Sequence, residues 1–178
     1  PGVADHLIYD RAALANGELW RAAFCHLIHG NQQHLVWDAA GLLILGWTFE
    51  PRLGPGRVLA SLAAGAAAVS AFLWLGLPGL DRYLGLSGVL NTLLAAGALD
   101  MARFSSGWRR VILLNILAAD LLKILVEMAL QNALFTDTGL PPIPEAHLAG
   151  FAAGVAVAAF RSAWKEKNAN GLPMSEGT

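Results

Sequence analysis

Two short segments carry residue types that together can transfer an acyl group. Gly85-Leu86-Ser87-Gly88 opens one apolar run, and Ala146-His147-Leu148-Ala149-Gly150-Phe151-Ala152-Ala153-Gly154 opens another. A serine hydroxyl becomes a nucleophile when a neighbouring base takes its proton, and histidine is the commonest such base. Glycines beside Ser87 permit a tight backbone entry, and the N–H groups of a first helical turn lack intrahelical partners. Backbone N–H groups at Gly85 and Leu86 are therefore candidate oxyanion donors. Taken alone, Ser87 reads more readily as an N-cap serine. His147 changes that balance, because a histidine within an apolar helix is rare and marks function by default. His147, Gly150 and Gly154 share one helical face, and small residues let helices approach closely. Packing that face against a run carrying Ala95, Ala96 and Ala98 would bring His147 to Ser87 at matching depth.

Two other groups of polar residues stand near these segments. His34 and Asp38 lie one turn apart with Gly41 continuing the face, and His29 precedes them. Side-chain donors from His34 and Asp38 are candidates to complete an oxyanion hole. A competing reading is a metal site from His26, His29, His34 and Asp38, since His and Asp at i, i+4 can share an ion, but spacing fixes no third ligand. Asp120, Lys123 and Glu127 fall at i, i+3 and i+7 of a later apolar run, so they line one face. Unpaired charges at such depth cost several kcal/mol, so Lys123 is expected to pair with an acid. They are either a structural ion pair or a polar substrate-recognition groove.

The elements that position these residues follow from composition. The 178 residues are 56% hydrophobic and 14% charged, with a mean hydropathy of +0.51. Soluble domains run nearer about 45–50% apolar and about 25% charged, so the excess belongs in lipid. Nothing in a net charge of −1 suggests a polyanion-binding surface, so no nucleic-acid partner is expected, and the single Cys25 excludes an internal disulfide framework. Apolar runs at 34–49, 58–77, 85–102, 108–130 and 146–163 predict five transmembrane helices, since a bilayer core asks for about 20 helical residues. The expected class is an all-α polytopic helix bundle. Arg52, Arg57, Arg103, Arg109, Arg110, Arg161, Lys165 and Lys167 occupy alternate ends, against Asp81, Arg82, Asp137 and Glu145 at the others. Basic loops face the cytoplasm, so 1–33, 78–84 and 131–145 face outward. The division is an interfacial region 1–33, a membrane core 34–164 and a cytoplasmic tail 165–178. This topology also implies a further helix upstream, six in all.

In this order these motifs resemble the rhomboid family of intramembrane proteases. The resemblance begins at Trp20-Arg21 and runs through His29, His34-x-x-x-Asp38, Glu50-x-Arg52-Leu53-Gly54 and Gly85-x-Ser87-Gly88 to Ala146-His147-x-x-Gly150-x-x-x-Gly154. It implies a Ser87–His147 dyad acting on membrane-anchored substrates, without metal or organic cofactor, in a multi-pass membrane protein. Asp38 departs from the pattern, standing where most rhomboids carry an asparagine donor. An ionised carboxylate would repel a developing oxyanion, so Asp38 serves only if protonated, or by orienting His34. That departure, the compact loops and the charged fourth run look more like rhombosortases. The subfamily resemblance implies processing of bacterial surface proteins with a C-terminal Gly-Gly, helix and basic tail at the inner membrane, with the site opening to the periplasm. The rivals are a non-catalytic rhomboid-like protein that binds transmembrane segments and a small transporter using Asp120, Lys123 and Glu127. Oligomeric state is left open.

Overall fold

The computed structural model describes residues 2–134 and 141–170; Asp137 of the predicted outer loop and tail residues 171–178 lie outside them. Short elements come first. They are α1 (Arg11–Ala15), α2 (Arg21–Phe24) and a two-residue strand β1 (Tyr9–Asp10), paired antiparallel with β2 (Arg82–Tyr83). Five long helices follow: α3 (Gln32–Leu53), α4 (Pro55–Gly76), α5 (Ser87–Arg103), α6 (Gly107–Leu130) and α7 (Pro144–Asn170). The fold is all-α apart from the β1–β2 bridge.

Local chemistry sets several boundaries. Asn31 caps α3 by accepting the His34 N–H at 2.8 Å. The helix does not stop where the apolar run 34–49 ends. Pro51 sits in the last turn, and the helix ends three residues later at Gly54, whose φ of 79° suits glycine. Pro55 then starts α4 at a position where a missing N–H costs nothing. The last helix also overruns its expected end at 163, continuing to Asn170.

Helix α5 is the central element, with eleven buried residues, and it packs against α3, α4, α6 and α7. One apolar cluster, including Phe49, Leu53, Val58, Leu93 and Leu117, fills the middle. Another, with Tyr9, Cys25, Val69, Leu73, Tyr83 and Ala146, ties the N-terminal segment to the end of the bundle where α5 begins. Burial pushes the Cys25 thiol up to about 12, so it is a protonated core group rather than a nucleophile. Arg21 is likewise structural. Its guanidinium is buried and donates to the Asp5 and Ile8 carbonyls and to Glu18.

At the opposite end of α5, Asp100 accepts from Arg161 at 3.0 Å and Arg103 at 3.3 Å, while Arg161 also donates to Ser61 and the Arg57 carbonyl. These bonds lock α4, α5 and α7 together. Large apolar side chains such as Leu43, Trp47, Leu75, Trp108 and Phe160 point outward from the bundle, the surface expected where lipid replaces water. Among the described residues two helices, Pro55–Gly76 and Pro144–Asn168, are long and apolar enough to cross a membrane by length and composition. Of the other long helices, α5 has 17 residues, and α6 carries Arg109, Arg110, Asp120, Lys123 and Glu127.

Candidate active site

Ser87 is the first residue of α5, and His147 lies in the first turn of α7. The Ser87 Oγ and His147 Nε2 are 2.8 Å apart, a hydrogen bond between residues 60 positions distant in sequence. Glycine makes this approach possible. A Cβ on Gly150 would lie 1.8 Å from the Gly88 carbonyl oxygen, and one on Gly154 would lie 2.5 Å from the Thr92 carbonyl oxygen and 2.7 Å from the Ala95 Cβ. Thr92 Oγ1 donates to the Gly150 carbonyl at 2.8 Å, a cross-helix bond that sequence reading did not single out. Asn91, one turn after Ser87, donates to the Ser87 carbonyl at 2.9 Å and steadies the turn.

The chain reaches Ser87 through Gly85, whose φ of 117° belongs to glycine. A side chain there would also meet the His34 ring at 2.7 Å. The expected oxyanion donors Gly85 and Leu86 are otherwise engaged. The Gly85 N–H donates to the Cys25 carbonyl at 3.1 Å, and the Leu86 N–H donates to Asp38 Oδ2 at 2.8 Å. The Tyr83 hydroxyl donates to the Gly85 carbonyl at 3.4 Å and lies beside Gly88, where a Cβ would meet it at 3.2 Å. Burial pushes that phenol well above its ordinary value, so Tyr83 stays neutral. The Ser87 N–H, at the first residue of α5, belongs to the helix-start donors that have no intrahelical partner.

Asp38 is an acceptor in this arrangement rather than the oxyanion donor considered from sequence. Besides the Leu86 N–H, its Oδ2 stands 3.0 Å from His29 Nε2 and 3.3 Å from His34 Nε2. One buried carboxylate thus gathers two imidazoles and the entry to α5. His26, grouped with them as a possible metal ligand, turns away. Its Nε2 lies 2.9 Å from Ser70 Oγ and 3.2 Å from the Ala66 carbonyl, and burial lowers its pKa. Among the described residues no group of three His, Cys, Asp or Glu is arranged to hold a metal ion.

The acceptor role predicts a measurable cost. Hydrogen bonds to a charged group contribute about 1.5–3 kcal/mol, against about 1 kcal/mol for neutral pairs. Asp38→Asn is therefore expected to lower stability by about 1–2 kcal/mol, read as a drop in Tm in detergent. A variant as stable as the parent would show that the carboxylate charge is not what holds these donors.

The charged face of α6 resolves into three different environments. Lys123 lines the cavity beside Ser87 and pairs with Glu127 Oε2 at 2.8 Å. Glu127 is 3% exposed, accepts the Leu134 N–H at 3.1 Å through Oε1, and has Oε2 3.5 Å from His147 Nδ1. That last separation is an ion-pair distance, yet His147 Nδ1 makes no hydrogen bond. Asp120 stands apart, with a buried and unpartnered Oδ2.

Ser87, His147, His34, Asp38, Tyr83 and Lys123 share a cavity of about 330 Å³, which Pro141, Pro142 and Ile143 also line. An activated hydroxyl, a base, nearby N–H donors and limited water access are the requirements of acyl transfer.

A rhomboid-domain family model matches residues 16–164, which contain every residue of this cavity. Curated proteins supply no match.

Proposed function

Because the chain belongs to the rhomboid family, whose members are generally intramembrane serine proteases, we propose that it cleaves membrane-anchored proteins with Ser87 as nucleophile and His147 as base. The observation that carries this reading is the 2.8 Å bond between Ser87 Oγ and His147 Nε2 inside a cavity. Neutral His147, with its Nε2 lone pair toward Ser87, takes the hydroxyl proton as Oγ attacks a substrate carbonyl. The Ser87 N–H, aided by the His34 side of the cavity, holds the tetrahedral oxyanion. The proton then passes from Nε2 to the leaving amine, and water hydrolyses the acyl-enzyme. Asp38 serves by fixing His34, His29 and the start of α5. Lys123, at the cavity wall, is a candidate contact for substrate, whereas Asp120 lies off the lining.

The five long helices are read as five membrane spans. At about 1.5 Å per residue, 22 residues reach about 33 Å, a bilayer core's thickness, and the shorter α5 is enclosed by its neighbours. Basic residues concentrated at the end opposite Ser87 favour a cytoplasmic placement there, with the cavity opening outward, to the periplasm in a bacterial inner membrane. Within the family the chain is read as a rhombosortase, whose substrates carry a C-terminal transmembrane segment after Gly-Gly. Asp38 in place of asparagine and the charged α6 support that assignment. The inactive rhomboid-like alternative is disfavoured by the Ser87–His147 contact.

A fluorophosphonate probe applied to full-length protein in detergent tests the reading. Adduct mapped to Ser87 by mass spectrometry, and lost in His147→Ala, is the expected result. Folded protein that stays unlabelled would sink the protease, and co-expression with Gly-Gly-tailed and untailed substrates tests the narrower assignment.

A further inference from the structure

We propose that Glu127 is a positioning residue for His147, so that Ser87, His147 and Glu127 act as a three-membered set rather than a dyad. The proposal rests on the protease reading above and assigns a role to a group outside the Ser–His pair. The geometry has three parts. His147 presents Nε2 to Ser87 at 2.8 Å, and on its other side Nδ1 is buried without a hydrogen bond. Glu127 Oε2 is 3.5 Å from that Nδ1. The carboxylate is itself buried and held from two sides, by Lys123 Nζ on Oε2 and the Leu134 N–H on Oε1.

A glutamate needed only as a lysine's partner at i, i+4 gains little by being buried, because taking both charges out of water is costly. Here the carboxylate turns inward, toward the His147 nitrogen that makes no hydrogen bond. Catalytic hydrogen bonds are often long in the unliganded enzyme and tighten when substrate binds. A shift of about 0.5 Å would close this one to an ordinary hydrogen bond.

The chemistry balances without further reactants. With the neutral proton on Nδ1 facing Glu127, the Nε2 lone pair faces Ser87 Oγ. When Nε2 takes the serine proton, the imidazolium has an anion beside it, and Glu127 stays ionised throughout. The same proton leaves Nε2 for the departing amine. Glu127 thus fixes the tautomer and favours the charged intermediate.

The test is the rate of fluorophosphonate labelling of Ser87 in full-length Glu127→Gln, measured across pH. Glutamine keeps the size of the side chain and an oxygen for the Leu134 N–H. Loss of the anion is expected to slow labelling about 10²-fold or more. It also moves the rising acidic limb to lower pH, because the imidazolium loses its counter-charge and faces an unpaired Lys123. The other groups around the imidazole are Asp120 on α6, His34 and Asp38 on α3, and Arg82 and Tyr83 on β2. All are unchanged in the variant. A folded Glu127→Gln with parental rate and limb would overturn the proposal. If the variant fails to fold, nitrogen-15 NMR of the parent decides: a proton on Nδ1 of neutral His147 supports the contact, and one on Nε2 overturns it. Parent protein that folds but never labels at Ser87 would overturn the protease reading instead, and the tautomer would still decide the Glu127 contact.

Discussion

Ser87→Ala and His147→Ala are each expected to lower cleavage of a membrane-anchored substrate by about 10⁴–10⁶-fold, with the double variant no worse than either single one. The lack of additivity is the sharper part. Ser87 Oγ and His147 Nε2 share one hydrogen bond and one proton, so once either group is gone the other has nothing to act with. What survives is the cavity and the Ser87 backbone N–H, which bind and polarise a carbonyl without attacking it. The stability of Ser87→Ala should barely move, because Ser87 is only half-buried and alanine removes one neutral bond of about 1 kcal/mol. Cleavage rates in proteoliposomes with quantified protein check both points. Multiplying losses in the double variant would mean that the two residues act separately, and a tenfold effect from either would leave both in a merely structural role.

Parts of this arrangement could be read directly from sequence and parts could not. The α5–α7 contact was readable because small residues at fixed helical spacing carry geometric meaning. Gly150 and Gly154 permit close approach only on the face that also holds His147. The fate of individual donors was not readable. The Gly85 and Leu86 N–H groups sit beside the nucleophile in sequence, but their acceptors, the Cys25 carbonyl and Asp38, come from segments more than 40 residues away. The spacing of His34 and Asp38 put them on one face without showing that Asp38 gathers His29 and Leu86 as well. For α6, spacing left Lys123 to pair with either Asp120 or Glu127, and it could not say which neighbour that face meets, so the nearness of Glu127 to His147 was invisible. The pairing of Asp100 with Arg161 was not readable for the same reason. A lone acid and a lone arginine 61 residues apart have no local signature.

Gly150→Ala is expected to be among the most damaging single-atom additions in the protein. The new Cβ would sit 1.8 Å from the Gly88 carbonyl oxygen and 2.8 Å from its carbon. Both are backbone atoms in the first turn of α5, so no side chain can swing aside, and α7 must move away. Overpacking of this kind costs about 1–3 kcal/mol. Separation also breaks the bond from Thr92 to the Gly150 carbonyl and strands a fully buried hydroxyl, adding about 1–3 kcal/mol. The loss in rate should exceed what stability alone explains. His147 rides on the same turn of α7 as Gly150, and a misplacement of about 1 Å can cost about 10²-fold. Gly154→Ala meets the Thr92 carbonyl oxygen at 2.5 Å but lies a turn further from His147, so it should destabilise with a smaller loss of labelling. Gly46→Ala in α3 meets nothing within 4 Å and should be neutral, or stabilising by up to about 1 kcal/mol. Tm in detergent and the rate of Ser87 labelling separate the three. If Gly150→Ala behaves like Gly46→Ala, then α7 does not pack closely on α5, and the Ser87–His147 contact loses its structural basis.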